Sequence, residues 1–81
     1  MVIIDNLNLL LSKKDFEYLS RNLYVKLIKC KSGKKIRIFI DTGDNEINIY
    51  SRNKVLNVEC YNEYTSSLAK ELEKFGMVKI H

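Results

Sequence analysis

Residues 23 to 61 thread as four strands joined by three two-residue turns, and in that register Ile36, Ile38, Ile40, Ile47 and Ile49 all face one way. Side chains alternate across a strand with period two, so a slip of one residue in any turn would break this agreement. A turn centred on Ser32-Gly33 pairs Leu27 with Ile38 and Val25 with Ile40. A second turn at Gly43-Asp44 pairs Ile40 with Ile47 and Ile38 with Ile49. A third at Asn53-Lys54 pairs Ile49 with Val58 and Ile47 with Cys60. Gly and Asn suit these corners because they tolerate the positive φ of tight hairpin turns.

The register divides the side chains into two faces. One holds Val25, Leu27, the five isoleucines, Leu56, Val58 and Cys60, and is apolar enough to need covering. The other holds Lys26, Lys35, Arg37, Phe39, Asn48, Tyr50, Arg52 and Asn57, with Lys31 and Lys34 flanking the first turn. Two readings fit that second face. A solvated antiparallel sheet commonly carries Tyr and Phe beside Lys and Arg, and such cross-strand pairs stabilise it by about 0.2–1 kcal/mol each. The same residues would also make a platform on which bases stack while the cations neutralise phosphates.

Two amphipathic segments can cover the isoleucine face. Ser12 followed by Asp15 resembles a helix start, and Phe16, Leu19 and Leu23 follow at helical spacing, which predicts a helix over about 12–22. Asn62 and Glu63 suit the first turn of a second helix, over about 62–76. Its stripe is Tyr64, Leu68, Leu72 and Phe75, and Gly76 stands as its stop. Those stripes read as core. Residues 2–11 could form a strand, a bent strand or a helix entry, and Met77 to Ile80 has a short strand pattern suited to a sheet edge. The expectation is one α+β domain over residues 1–81: a four-stranded antiparallel meander (about 23–61), the two helices on one face, and extra short strands at the termini. An uncovered edge strand could also pair with a second copy as a homodimer.

The 81 residues carry a net charge of +4 and no proline. A chain this short makes a small core with little room for an elaborate active site. Positive charge crowds the first hairpin, through Lys26, Lys29, Lys31, Lys34, Lys35 and Arg37, with Arg52 and Lys54 at the same end. Asp41, Asp44 and Glu46 gather at the other, so the sheet is polarised along its strands. The register puts Cys30 and Cys60 three strands and opposite faces apart. At about 4.8 Å per strand they lie roughly 14 Å from each other, beyond disulfide reach. Two free thiols then suit a reducing compartment. With Leu9-Leu10-Leu11 too short to span a bilayer, and no basic region before it, the expected location is the cytoplasm, without membrane contact. Abundant Lys, Asn and Ile suggest an AT-rich genome, as in low-GC bacteria, their phages and some thermophilic viruses.

Catalysis is not expected. Asp41-Thr42-Gly43 matches the short tripeptide of aspartic proteases, but Asp44 follows where Ala or Ser is usual, and the tripeptide falls on a turn. Asp41, Asp44 and Glu46 lack calcium-loop spacing, and Ser32-Gly33-Lys34 has no helix after it to complete a phosphate loop. His81 is terminal, and no nucleophile, base and acid can be assembled around it. No cofactor or metal is expected.

Strand, helix, four-stranded meander and final helix, if residues 2–11 form the strand, resemble one repeat of the TATA-box-binding-protein architecture. The resemblance is topological and implies that an exposed sheet face meets the DNA minor groove, with Arg37, Phe39, Asn48, Val55 and Asn57 on that face. The expected function is a small non-enzymatic module that contacts nucleic acid through Lys26, Lys31, Lys34, Lys35, Arg37, Phe39, Asn48, Tyr50, Arg52 and Asn57. The alternative is a protein-binding inhibitor or accessory protein of a phage, virus or mobile element. Such a protein would dock on a host protein or nucleoprotein complex in the host cytoplasm.

Overall fold

The computed structural model describes residues 4–81, an α+β fold with a five-stranded mixed sheet and two α-helices. The elements run α1 (Ile4–Lys13), β1 (Glu17–Ser20), β2 (Leu23–Lys29), β3 (Lys35–Asp41), β4 (Glu46–Tyr50), α2 (Val58–Leu72) and β5 (Met77–Ile80). Short 3-10 turns precede β4, precede α2 and follow it. Strand order in the sheet equals chain order. The first four strands form an antiparallel meander, and β5, brought back by α2, lies parallel to β4 at the edge.

The meander therefore exists, but it spans residues 17–50 rather than 23–61. The expected helix over 12–22 is replaced by the end of α1 and the strand β1. Ser12 and Asp15, read as a helix start, instead close one. The Phe16 N–H donates to the Leu11 carbonyl and the Asp15 N–H to the Ser12 carbonyl, with Asp15 left-handed at φ 66°. That is a Schellman ending, and the buried pair Leu11 and Phe16 supplies its usual hydrophobic contact. Asp serves both roles because its short polar side chain tolerates the left-handed region as well as an N-terminal cap. A helix thus stands where the TATA-box-binding-protein resemblance needs an opening strand.

The first hairpin differs from its expected register by one residue. Observed pairs are Ile28 with Ile36, Lys26 with Ile38 and Tyr24 with Ile40. The loop has three residues, Lys31-Ser32-Gly33. The Gly33 N–H donates to the Cys30 carbonyl, the Cys30 N–H donates to the Lys34 carbonyl, and Gly33 takes φ 89°. A two-residue type I′ turn would force Ser32 as well as Gly33 to positive φ, whereas this loop asks it only of the glycine. The slip turns β2 over. Tyr24, Ile28 and Cys30 join the core, while Val25 and Leu27 move to the opposite face.

The second hairpin is displaced by two residues, with Ile40 opposite Ile49 and Asp41 opposite Asn48. An even displacement keeps the faces, so Ile47 and Ile49 stay where expected. The longer loop is held by the Asp41 carboxylate, whose Oδ1 accepts the Gly43 N–H at 2.8 Å. Asp44 and Asn45 take the positive φ there, rather than Gly43. The third hairpin does not form. Asn53 closes a short turn beside β3, its Oδ1 accepting the Arg37 N–H and its Nδ2 donating to the Lys35 carbonyl. Asn57 then caps α2 by accepting the Cys60 N–H at 3.1 Å. The second helix starts four residues earlier than expected, and Gly76 follows its final 3-10 turn.

Both helices cover the same sheet face. Leu7 and Leu11 of α1 and Tyr61, Leu68, Ala69 and Leu72 of α2 bury Ile36, Ile38, Ile40, Ile47 and Ile49, all five fully inaccessible. Each such isoleucine contributes roughly 1.5–3 kcal/mol of burial free energy. The Tyr61 hydroxyl reaches the carbonyls of Ile49 (3.3 Å) and His81 (2.6 Å), which fastens β5 to β4 beneath the helix.

The largest correction concerns the cysteines. Cys30 at the end of β2 and Cys60 in the first turn of α2 form a disulfide, with Cα atoms 5.9 Å apart. The 14 Å separation followed from placing Cys60 on a fourth strand, and with residue 60 in a helix over the sheet that premise disappears. The thiol argument for a reducing compartment falls with it. No helix among the described residues is long and apolar enough to cross a membrane.

Candidate nucleic-acid interface

The sheet face away from the helices has no covering layer among the described residues. Alternation from the observed register places Leu23, Val25, Leu27 and Lys29 of β2 on it, beside Lys35, Arg37, Phe39 and Asp41 of β3. Glu17 and Ser20 of β1, Glu46, Asn48 and Tyr50 of β4, and Met77 and Lys79 of β5 complete it. The expected residues Lys35, Arg37, Phe39, Asn48 and Tyr50 are brought together there, with Arg52 just beyond β4.

At the centre, Phe39 and Tyr50 are cross-strand neighbours with rings stacked at 5.2 Å and 12° between planes. The Arg52 guanidinium lies 5.3 Å from the Phe39 centroid. Phe39 is consequently only 8% exposed although it stands on the open face. A base needs a free ring face to stack upon, so Phe39 acts as a support that fixes Tyr50 and Arg52. Tyr50 is partly exposed, and Arg37, Lys35 and Lys29 are exposed beside it. Asn48 is partly engaged, its Oδ1 lying 2.8 Å from His81 Nε2.

Charge changes along the face. Lys29, Lys35 and Arg37 stand at the hairpin end, extended by Lys31 and Lys34 in and beside the loop. Asp41 and Glu46 stand at the other end, where Glu46 pairs with Lys79 at 3.1 Å. Asp41 spends a carboxylate oxygen on the turn, and among the described residues no group of three His, Cys, Asp or Glu could hold a metal ion.

Two expected residues lie elsewhere. Lys26 is on the helix side, a consequence of the one-residue slip, and its ammonium sits 5.9 Å from the Phe16 ring and 5.8 Å from the Tyr64 ring. Asn57 caps α2 and donates from Nδ2 to Ser32 Oγ at 3.1 Å, tying the helix start to the hairpin tip. Val55, placed on the face by the resemblance, belongs to the 3-10 turn before α2. Conversely, Val25, Leu27 and Lys29 were not expected on this face. The signal that could have placed them is Gly33 as the third residue of a three-residue loop.

The helix side has its own electrostatics. Burial, then the charges of Glu71 and Asp15, push the Tyr64 hydroxyl up to about 12. Burial also raises Tyr61, and burial with neighbouring Tyr18 raises Tyr24, whose hydroxyl donates to Asn8 Oδ1 of α1. These phenols are neutral structural groups at ordinary pH.

The chain is thus a two-layer α+β protein with one helix-covered and one open sheet face. No protein-family model, curated protein or solved structure matches it.

Proposed function

We propose that the chain is a non-enzymatic binding module that contacts nucleic acid through the hairpin end of its open sheet face. The observation that carries this reading is the run of cations Lys29, Lys35 and Arg37 from the hairpin end toward Arg52 and the partly exposed Tyr50, on a face left uncovered among the described residues. The cations neutralise phosphates, and Tyr50 offers the one central ring with an accessible surface. Phosphate contact dominates over base stacking, because Phe39 is enclosed between Tyr50 and Arg52.

A salt titration of binding to single- and double-stranded DNA and RNA tests it. Affinity should fall steeply with salt, and the slope of log affinity against log salt should decrease by roughly one for each phosphate-contacting cation removed. The triple variant Lys34→Glu, Lys35→Glu, Arg37→Glu should abolish binding. Absence of binding at low salt would sink the proposal.

A second reading, a protein-binding inhibitor or accessory protein of a phage or virus, is favoured by Val55, Leu56 and Val58, which are 79%, 46% and 49% exposed. They flank Asn57, which contacts the hairpin tip, so a partner protein would find apolar surface close to the basic end. An intracellular setting accords with the disulfide in cells whose cytosol sustains such bridges, as hyperthermophiles do.

A further inference from the structure

The strand β2 is paired on both sides for only part of its length. β3 follows it from Leu23 to Lys29, but β1 reaches only as far as Val25, opposite Glu17. The chain preceding Glu17 turns away at Asp15 into α1. In an antiparallel ladder, alternate residues bond to opposite neighbours. Cys30 donates to Lys34 on the β3 side, so Ile28 and Lys26 also address β3. Leu27 and Lys29 therefore aim their N–H and C=O groups at the other side, where no described segment pairs with them. Leu27 is 50% exposed.

A groove of about 590 Å³ runs along this edge. One wall is β2 and the start of its loop, Lys26 to Lys31; the other is the start of α2, with Glu59, Glu63 and Tyr64. The Cys30–Cys60 disulfide joins the two walls at one end, so their spacing is covalently held. Preset walls and unpaired backbone groups in line with an existing strand are what strand addition requires, since the main chain supplies affinity and alternate side chains supply selectivity.

We infer that this edge takes up an extended peptide segment of a partner protein as an added strand, in line with β1. Its chemistry follows from the neighbours. On the open-face side an incoming side chain beside Leu27 is apolar, and one beside Lys29 is acidic, drawn by Lys29 and Lys31. Between them, one side chain enters the groove against Ile28 and Tyr64, a site for an apolar residue. The part of the β2 edge from Lys26 to Lys29 is about 13 Å long at 3.3 Å per residue, enough for roughly four paired residues with overhanging ends. This site shares Lys29 and Lys31 with the proposed nucleic-acid surface but rests on the unpaired backbone of β2, so it stands without that reading.

The test is amide hydrogen exchange by NMR on the full disulfide-bonded chain. The probe is an acetylated, amidated seven-residue peptide with the core Glu-Val-Val-Val-Glu between two threonines, which presents valine, valine and glutamate to Leu27, Ile28 and Lys29 in either strand direction, at millimolar concentration. Exchange at Leu27 and Lys29 should slow at least about tenfold, as expected when an open amide gains a partner. The same peptide N-methylated at every nitrogen keeps its charges but lacks donors, and should give no protection. Leu27→Pro removes an edge donor that β3 does not use, a substitution edge strands accept. It should abolish protection at Lys29 while leaving the Ile36 and Ile38 amides, and binding of a DNA oligonucleotide, unchanged. Unaltered exchange at Leu27 and Lys29 would overturn the inference, as would equal protection by the methylated peptide or protection confined to β5.

Discussion

The two faces of this sheet bury aromatic and aliphatic side chains by different means. On the helix side, Ile38 and Ile40 are sealed by hydrocarbon from two helices. On the open side, Phe39 lies between them in sequence and reaches a comparable burial with no second layer, shielded by Tyr50 and the Arg52 guanidinium. A polar lid of this kind hides apolar area but can be moved, whereas a helix cannot be moved without unfolding. Low exposure therefore means fixed packing on one face and adjustable packing on the other.

The sharpest way to break that contrast is to truncate neighbours on opposite faces. Ile38→Ala should cost about 4 kcal/mol, within the range for enclosed aliphatic positions that cannot collapse. Phe39→Ala removes a larger side chain but should cost about half as much, because Tyr50 and Arg52 can close over the gap. Urea unfolding measures both. If Phe39→Ala were the costlier change, the open face would be as rigidly packed as the covered one, and the reading of Arg52 as a lid would fail.

Removing the disulfide tests how far the covered side depends on its staple. The bridge closes a segment with a sequence separation of 30, and loop-entropy reasoning gives a stabilisation of about 3.5 kcal/mol. Cys30→Ala with Cys60→Ala should lower the unfolding free energy by that amount while leaving the Phe39–Tyr50 stack intact, as judged by aromatic ring-current shifts. A loss below about 1 kcal/mol would mean that packing alone holds α2 to β2.

How much of this was legible in the sequence follows from parity. The alternating runs over 35–41 and 46–50 specify two strands, and their isoleucines specify a face, whatever the loop between them does in steps of two. So Arg37, Phe39, Asn48 and Tyr50 were placed correctly from a register that was itself displaced. The first hairpin had no such protection. Val25 and Leu27 are apolar and so are Tyr24 and Ile28, so either face of β2 could be buried. Only the geometry of Gly33 decides, and Lys26 moved with it. Residues 53–61 misled for a related reason: Val55, Asn57 and Glu59 alternate with Leu56, Val58 and Cys60 as strand residues do. What overrode that pattern was the Asn57 cap on the Cys60 N–H, together with the bond from Cys60 to Cys30. The edge of β2 was invisible for the same reason as β1, since a strand of four exposed residues leaves no periodic burial signal.

The smallest expected effect separates the faces by pH. Tyr64, on α2 beneath the Lys26 ammonium, has its hydroxyl raised from 10.0 to about 12, by burial first and then by Glu71 and Asp15. The fold therefore favours the neutral phenol. Between the two values the unfolded chain has released a proton that the folded chain retains, so stability falls as pH rises through that window. Its contribution is fully present below the unfolded value and is lost as pH passes the folded one. Because Tyr64 is only partly buried, the loss is attenuated by solvent. Tyr64→Phe should flatten the highest-pH part of the stability curve, and Asp15→Gly, by removing a nearby negative charge, should move the Tyr64 titration downward. Ultraviolet phenolate absorbance reads that titration and urea midpoints read the stability. If Tyr64→Phe left the alkaline stability curve unchanged, the groove between β2 and α2 would be more hydrated than its lining implies. The covered face would then share the open face's access to water at the place where a peptide is proposed to enter.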